Sequence, residues 1–83
     1  MTKEELIGSI RYVLEQRMGM TPPAYFGADV RLNEELRLDS VLLMQLLLHL
    51  ELDMGFQIPE EALTQKHLVT VGSFADFLLG VPR

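Results

Sequence analysis

No cysteine occurs in the 83 residues. That excludes a disulfide framework and any thiolate nucleophile or thiolate metal ligand of the chain's own. Basic residues are also few. Seven Lys and Arg stand against twelve Asp and Glu, a formal net charge of −5, and the seven are scattered. Nucleic acid is therefore a poor partner class, because phosphate binding rests on clustered cations. Long hydrophobic runs are missing as well. The longest, Val41–Leu48, is broken by Gln45 and falls far short of the roughly 20 residues that cross a bilayer. The first ten residues mix both charges and do not read as a signal peptide. The expectation is a soluble, cytoplasmic, monomeric protein with no membrane partner.

What is present is helical. The spacing predicts one domain over residues 1–83, all-α: a four-helix bundle with a long first loop and a short third helix. "TKEE" at Thr2–Glu5 has the form of a capping box. Leu6, Ile10, Val13 and Leu14 follow on one helical face, which predicts a first helix to about Met18. Gly19 and Pro22-Pro23 end it. Residues 19–39 form a long connection, with Tyr25, Phe26, Leu32, Leu36 and Leu38 expected to pin it to the core and Asn33 to cap a short turn. Ser40 opens the second helix as N-cap or first-turn residue, and Gly55 closes it. "IPEEALTQ" predicts a short third helix with Pro59 in its first turn. Thr70 caps a fourth, with Val71, Phe74, Ala75 and Leu78 on one face and Gly80 and Pro82 at its end. No segment alternates as a strand does.

The helix after Ser40 is apolar on two sides. At 100° per residue, Leu43, Leu46, Leu47, Leu50 and Met54 fall within about 100° of one another and form a core stripe. Val41, Leu48 and Leu52 cluster on the opposite side beside Gln45, with Met44 at the edge. A small bundle does not easily enclose one helix completely. The second stripe therefore reads as a partner face, unless the long loop folds over it.

Ser40 follows Asp39 directly before this run. A nucleophilic serine needs a base in hydrogen-bond reach. His49 lies nine residues along the same helix, about 13 Å up its axis, and His67 lies in a later connection. No Gly-x-Ser-x-Gly elbow is present. His49 and Asp53 share a helix face, but two ligands without a third make no metal site; with Glu51 they read as solvated surface. A hydroxyl at a helix N-terminus suits a phosphoester better, since unpaired N–H groups and the helix dipole favour negative charge there.

Four stretches resemble one family. "LRLDSV" is similar to the phosphopantetheine attachment motif of acyl and peptidyl carrier proteins. "DVRLNEELRLDS" is similar to the approach to that motif, "MGFQIPEEAL" to the stretch between the second and third helices, and "LVTVGSFADFL" to the opening of the last helix. They occur in the family's order, and the resemblance extends over nearly the whole chain. The resemblance implies that Ser40 carries a covalent phosphopantetheine arm taken from coenzyme A. It implies that Asp39 helps the phosphopantetheinyl transferase engage that serine. The arm's thiol would hold cargo as a thioester, presented by a non-catalytic carrier to an adenylating or acyl-loading enzyme and to a condensing or transferring enzyme. Val41, Met44, Gln45, Leu48 and Leu52 would form the partner face.

Two positions depart from the family pattern. Val41 stands where leucine is usual, and Arg37 where glycine is common. The second helix is mostly leucine rather than strongly acidic, unlike the fatty-acid carriers, and the Gly-Gly-x-Ser approach of modular peptide synthetases is missing. The chain resembles most the free-standing aryl carriers of petrobactin-type siderophore pathways, which implies an aryl cargo; an aminoacyl or polyketide unit stays open beside it. The competing class is a helical adaptor that binds a partner helix through the apolar face, with Ser40 a mere cap.

Overall fold

The computed structural model describes residues 1–82. Helix α1 spans Lys3–Tyr12 and begins with the expected capping box: the Glu5 amide donates to Thr2 Oγ1 at 3.1 Å and the Thr2 amide to Glu5 Oε1 at 2.9 Å. These bonds to the Thr2 backbone and hydroxyl hold the Glu5 carboxyl below its ordinary value. The helix runs on through Val13–Arg17 as a single π turn, closed by the Met18 amide on the Val13 carbonyl at 3.1 Å. Gly19, at φ 64°, then turns the chain away. Helix α2 spans Ser40–Met54 and ends at Gly55, whose φ of 77° is the left-handed cap that glycine adopts most readily. Helix α3 spans Val71–Leu79. Its cap is the expected Thr70, in a reciprocal pair with Ser73 at 3.0 Å each way.

The third helix differs from the sequence expectation. Among the described residues there are three α-helices, and the segment after Ile58 makes two separate 3₁₀ turns, Glu60–Ala62 and Gln65–Leu68. Pro59 precedes the first turn rather than lying inside it, and its carbonyl accepts from the Ala62 amide at 2.9 Å. Leu63 then goes extended, at φ −84° and ψ 112°, which ends the turn. Thr64 starts the next, with its amide donating to His67 Nδ1 at 3.0 Å.

The three helices close on one core. α1 contributes Leu6 and Ile10, its π turn Val13 and Leu14, α2 Leu46, Leu47 and Leu50, and α3 Val71, Phe74, Ala75 and Leu78. Leu43 and Met54 of the predicted stripe pack at its margin. The buried residues are all apolar, and no buried side-chain polar atom lacks a partner among the described residues, which avoids the cost of desolvating an unpaired group.

The long connection is tied down mainly by backbone. The Leu32 amide donates to the Val69 carbonyl at 3.1 Å, the Val71 amide to the Val30 carbonyl at 2.8 Å, and the Gly72 amide to the Ala28 carbonyl at 2.8 Å. Leu32, Leu36 and Leu38 are buried as expected, and Val30 joins them. Phe26 is half-buried, with the Arg11 guanidinium 5.8 Å from its ring centre. Tyr25 corrects the expectation. It is 66% exposed, and its phenol donates to Asp29 Oδ1 at 2.7 Å, which raises the phenol's pKa. Asn33 makes no side-chain hydrogen bond. The turn there closes through the Arg31 carbonyl, which accepts from the Glu35 and Leu36 amides at 3.1 Å each. No helix among the described residues is long and apolar enough to cross a membrane.

Candidate functional site

Asp39, not Ser40, caps α2. It sits in extended backbone, its Oδ1 accepts the Leu42 amide at 2.9 Å, and its carbonyl accepts the Leu43 amide at 2.9 Å. Ser40 is the first helical residue. The Ser40 and Val41 amides have no protein acceptor, as expected of the first turn. The Ser40 side chain is exposed and makes no hydrogen bond. The other two serines are committed: Ser9 Oγ donates to the Glu5 carbonyl at 3.1 Å, and Ser73 Oγ lies 3.1 Å from the His67 carbonyl and 3.0 Å from that of Thr70. Ser40 is the one serine whose hydroxyl is uncommitted.

Neither histidine serves Ser40. His49 Nδ1 lies 3.5 Å from the Asp53 carboxylate, which also takes Arg17 of the π turn at 3.2 Å. His67 accepts from Thr64 and stacks against Phe77 with ring centres 4.7 Å apart. No group of three or more side chains suited to a metal ion occurs among the described residues. Arg37 occupies φ 55°, the left-handed region where an L side chain is strained by about 1–2 kcal/mol. Glycine bears no such cost, which is a physical reason for its frequency at that place in the resembling family.

Below Ser40 runs the second apolar stripe of α2. Val41 is 64% exposed, Met44 65%, Leu48 52% and Leu52 72%, with Gln45 exposed among them. The long loop does not cover it. Val41, Met44, Gln45, Leu47 and Leu48 line a cleft of about 350 Å³ with Glu51 and Glu60. Helix spacing places Glu51 beside Leu48 and was available from the sequence. Glu60 was not, because it reaches the cleft only through the return of the chain after Gly55.

The start of α2 thus combines an exposed, unbonded serine with an outer helix side of bare leucine and methionine. The chain belongs to the phosphopantetheine attachment site family, whose match covers residues 9–78. It is 31% identical over 78 residues to the acyl carrier protein AsbD of Bacillus anthracis, an alignment that spans 94% of this chain and 86% of that protein. No solved structure matches the chain. It is thus a carrier protein whose prosthetic group is phosphopantetheine, in a family whose members meet a phosphopantetheinyl transferase and biosynthetic enzymes and are not themselves catalysts.

The donors present suit that group. Its phosphodiester bears one negative charge. The start of α2 offers two unpaired amides on an uncommitted hydroxyl's own helix turn and the positive end of the helix dipole. When bound, the group supplies the thiol that this cysteine-free chain lacks.

Proposed function

We propose that Ser40 is the attachment point, and that the chain acts as a monomeric, cytoplasmic carrier presenting a thioester-bound aryl group to its partner enzymes. The observation that carries this reading is the uncommitted Ser40 hydroxyl, exposed at the start of α2 and directly above the apolar stripe. In the transfer, Ser40 Oγ gives up its proton and forms the bond to the phosphorus next to pantetheine. The pyrophosphate bond of coenzyme A breaks, and the adenosine bisphosphate leaves. Asp39 fixes the serine by capping its helix, and the second carboxylate oxygen is left for the transferase and its metal.

Val41, Met44, Leu48 and Leu52, with Gln45, form the docking face for the loading and condensing enzymes in this reading. Recognition there rests on apolar burial more than on charge. The aryl cargo is supported by the sequence resemblance to siderophore aryl carriers. The holo protein, offered a panel of aryl, amino and fatty acids with the adenylating enzyme encoded beside it, should gain the mass of a hydroxylated benzoate as a thioester. Exclusive loading of an amino acid or a long fatty acyl chain overturns the aryl cargo and leaves the carrier reading standing. Failure to take the arm at Ser40 overturns both.

A further inference from the structure

The chain has five methionines and no cysteine, so all of its own sulfur is thioether. Met18, Met20 and Met54 are half-buried and pack against the core. Met1 is 54% exposed and precedes α1. Met44 is 65% exposed and stands on the outer stripe of α2, one helical turn from both Val41 and Leu48. Of the apolar side chains on that stripe, Val41, Met44, Leu48 and Leu52, it alone carries an atom that mild oxidants attack.

The surroundings of Met44 fix what oxidation there does. The other side chains lining its cleft are Val41, Gln45, Leu47, Leu48, Glu51 and Glu60. Among these only Gln45 carries a hydrogen-bond donor, because ionised carboxylates only accept. On the free protein, water is the ready partner of a sulfoxide oxygen at this exposed place. An enzyme seated on the stripe expels that water. The oxygen then competes for the one Gln45 amide or goes unpaired, in a cleft that already holds two acids. A buried acceptor left without a donor costs more than a buried thioether, which asks for none. Oxidation thus turns an apolar anchor into a polar group on the one surface where that matters for docking.

We propose that Met44 is a modification site, at which a hydroperoxide makes the docking face polar and so slows the enzymes that act on Ser40. The inference rests on the α2 stripe being the docking face. A sulfur lone pair takes the terminal oxygen of the peroxide. The O–O bond breaks, the S–O bond forms, and the rest of the peroxide leaves as water or an alcohol. Sulfur is oxidised by two electrons and the peroxide is reduced by two. Sulfoxide reductases reverse the step with a dithiol, which becomes a disulfide while the oxygen leaves as water. The buried side of α2 is Leu46, Leu47 and Leu50, so the fold survives the change.

The test treats apo protein with hydrogen peroxide and then removes the peroxide. Arm transfer from coenzyme A by a broad-specificity phosphopantetheinyl transferase is followed at carrier concentrations below KM. Wild type and Met44→Leu are each compared with their own untreated sample. Peptide mapping should place an added oxygen on Met44 before Met18, Met20 or Met54 gains one, with the far-ultraviolet dichroism unchanged. The treated wild type should then lose roughly tenfold in kcat/KM and regain it after sulfoxide reductases with dithiothreitol. Met44→Leu should keep its own untreated rate. An oxidised wild type that transfers at its untreated rate overturns the inference. So does a loss that Met44→Leu shares, or one that reduction does not restore. Leu48→Ala in the same assay keeps the two readings apart. If it transfers at the wild-type rate, the docking face has failed; if it is slow while oxidation of Met44 has no effect, Met44 alone has failed.

Discussion

Truncating Leu48 to alanine separates a docking face from a core more sharply than any other change in α2. Full burial of a leucine side chain is worth about 1.5–3 kcal/mol. Leu48 is 52% exposed in the folded chain. Folding therefore realises about half of that value and leaves about 0.8–1.6 kcal/mol for a partner to realise on docking. Leu48→Ala should accordingly cost no more than about 0.7–1.4 kcal/mol of stability, a fall in Tm of roughly 3–11 °C for a domain of this size. The same substitution should lower kcat/KM of the enzymes that act on Ser40 by about tenfold. Leu46, two residues earlier and 0% exposed, is the control. Leu46→Ala should cost about 2–5 kcal/mol, a large part of the roughly 4–12 kcal/mol expected of 83 residues. The assay is thermal unfolding followed by far-ultraviolet dichroism, paired with the rate of arm transfer and of acyl loading on each variant. If Leu48→Ala melts as early as Leu46→Ala, or loads at the wild-type rate, the apolar face is not what partners grip.

Four further outcomes follow from the geometry. Raising salt from about 0.01 M to about 0.15 M should weaken docking by less than a factor of two or three, because screening acts on exposed charge pairs and not on apolar contact; a steep loss in loading rate would contradict this. Asp39→Ala removes the bond to the Leu42 amide and should lower stability by about 0.5–2 kcal/mol, while Asp39→Asn keeps the cap; denaturant titration distinguishes them. Gly72→Ala places a Cβ 2.8 Å from the Ala28 carbonyl oxygen and 2.9 Å from its Cβ, and should cost about 1–3 kcal/mol, read as an earlier unfolding midpoint with unchanged helix content. Glu5, held below its ordinary pKa by its bonds to Thr2, contributes stability that is present above the ordinary glutamate range near 4.3 and is lost as pH falls through its lowered folded value. Glu5→Gln keeps a capping partner and should flatten that acid limb of the stability profile.

The helix ends were the most legible part of the chain, because caps are local chemistry. Thr2 with Glu5, Gly55 and Thr70 each act within four residues, and each stands where the residue pattern put it. The two-sided character of α2 was equally open to helix arithmetic, as the exposed Val41, Met44, Leu48 and Leu52 show. The third helix was not. Its one sign was Thr64, three residues before His67, a second capping pattern inside the stretch read as a single helix. Tyr25 was assigned to the core on hydrophobic character alone, whereas its hydroxyl needed a partner and found Asp29 at the surface. Val30 took the core place instead, and the reason is tertiary. The backbone of residues 28–32 bonds to that of residues 69–72, a pairing that no local periodicity encodes. At the site, Ser40 and Asp39 were visible as a motif. The roles of the two within the cap were settled by backbone direction, with Asp39 taking the cap and Ser40 left unbonded.

The central claim is that one hydroxyl, Ser40, receives the arm. Apo protein incubated with coenzyme A and a broad-specificity phosphopantetheinyl transferase should gain the mass of a single phosphopantetheinyl group, found by fragmentation on the peptide that contains Ser40. Ser40→Ala should fold, with the α2 cap intact through Asp39, and gain nothing. A wild type that never takes the group, or a Ser40→Ala protein that still does, contradicts the account.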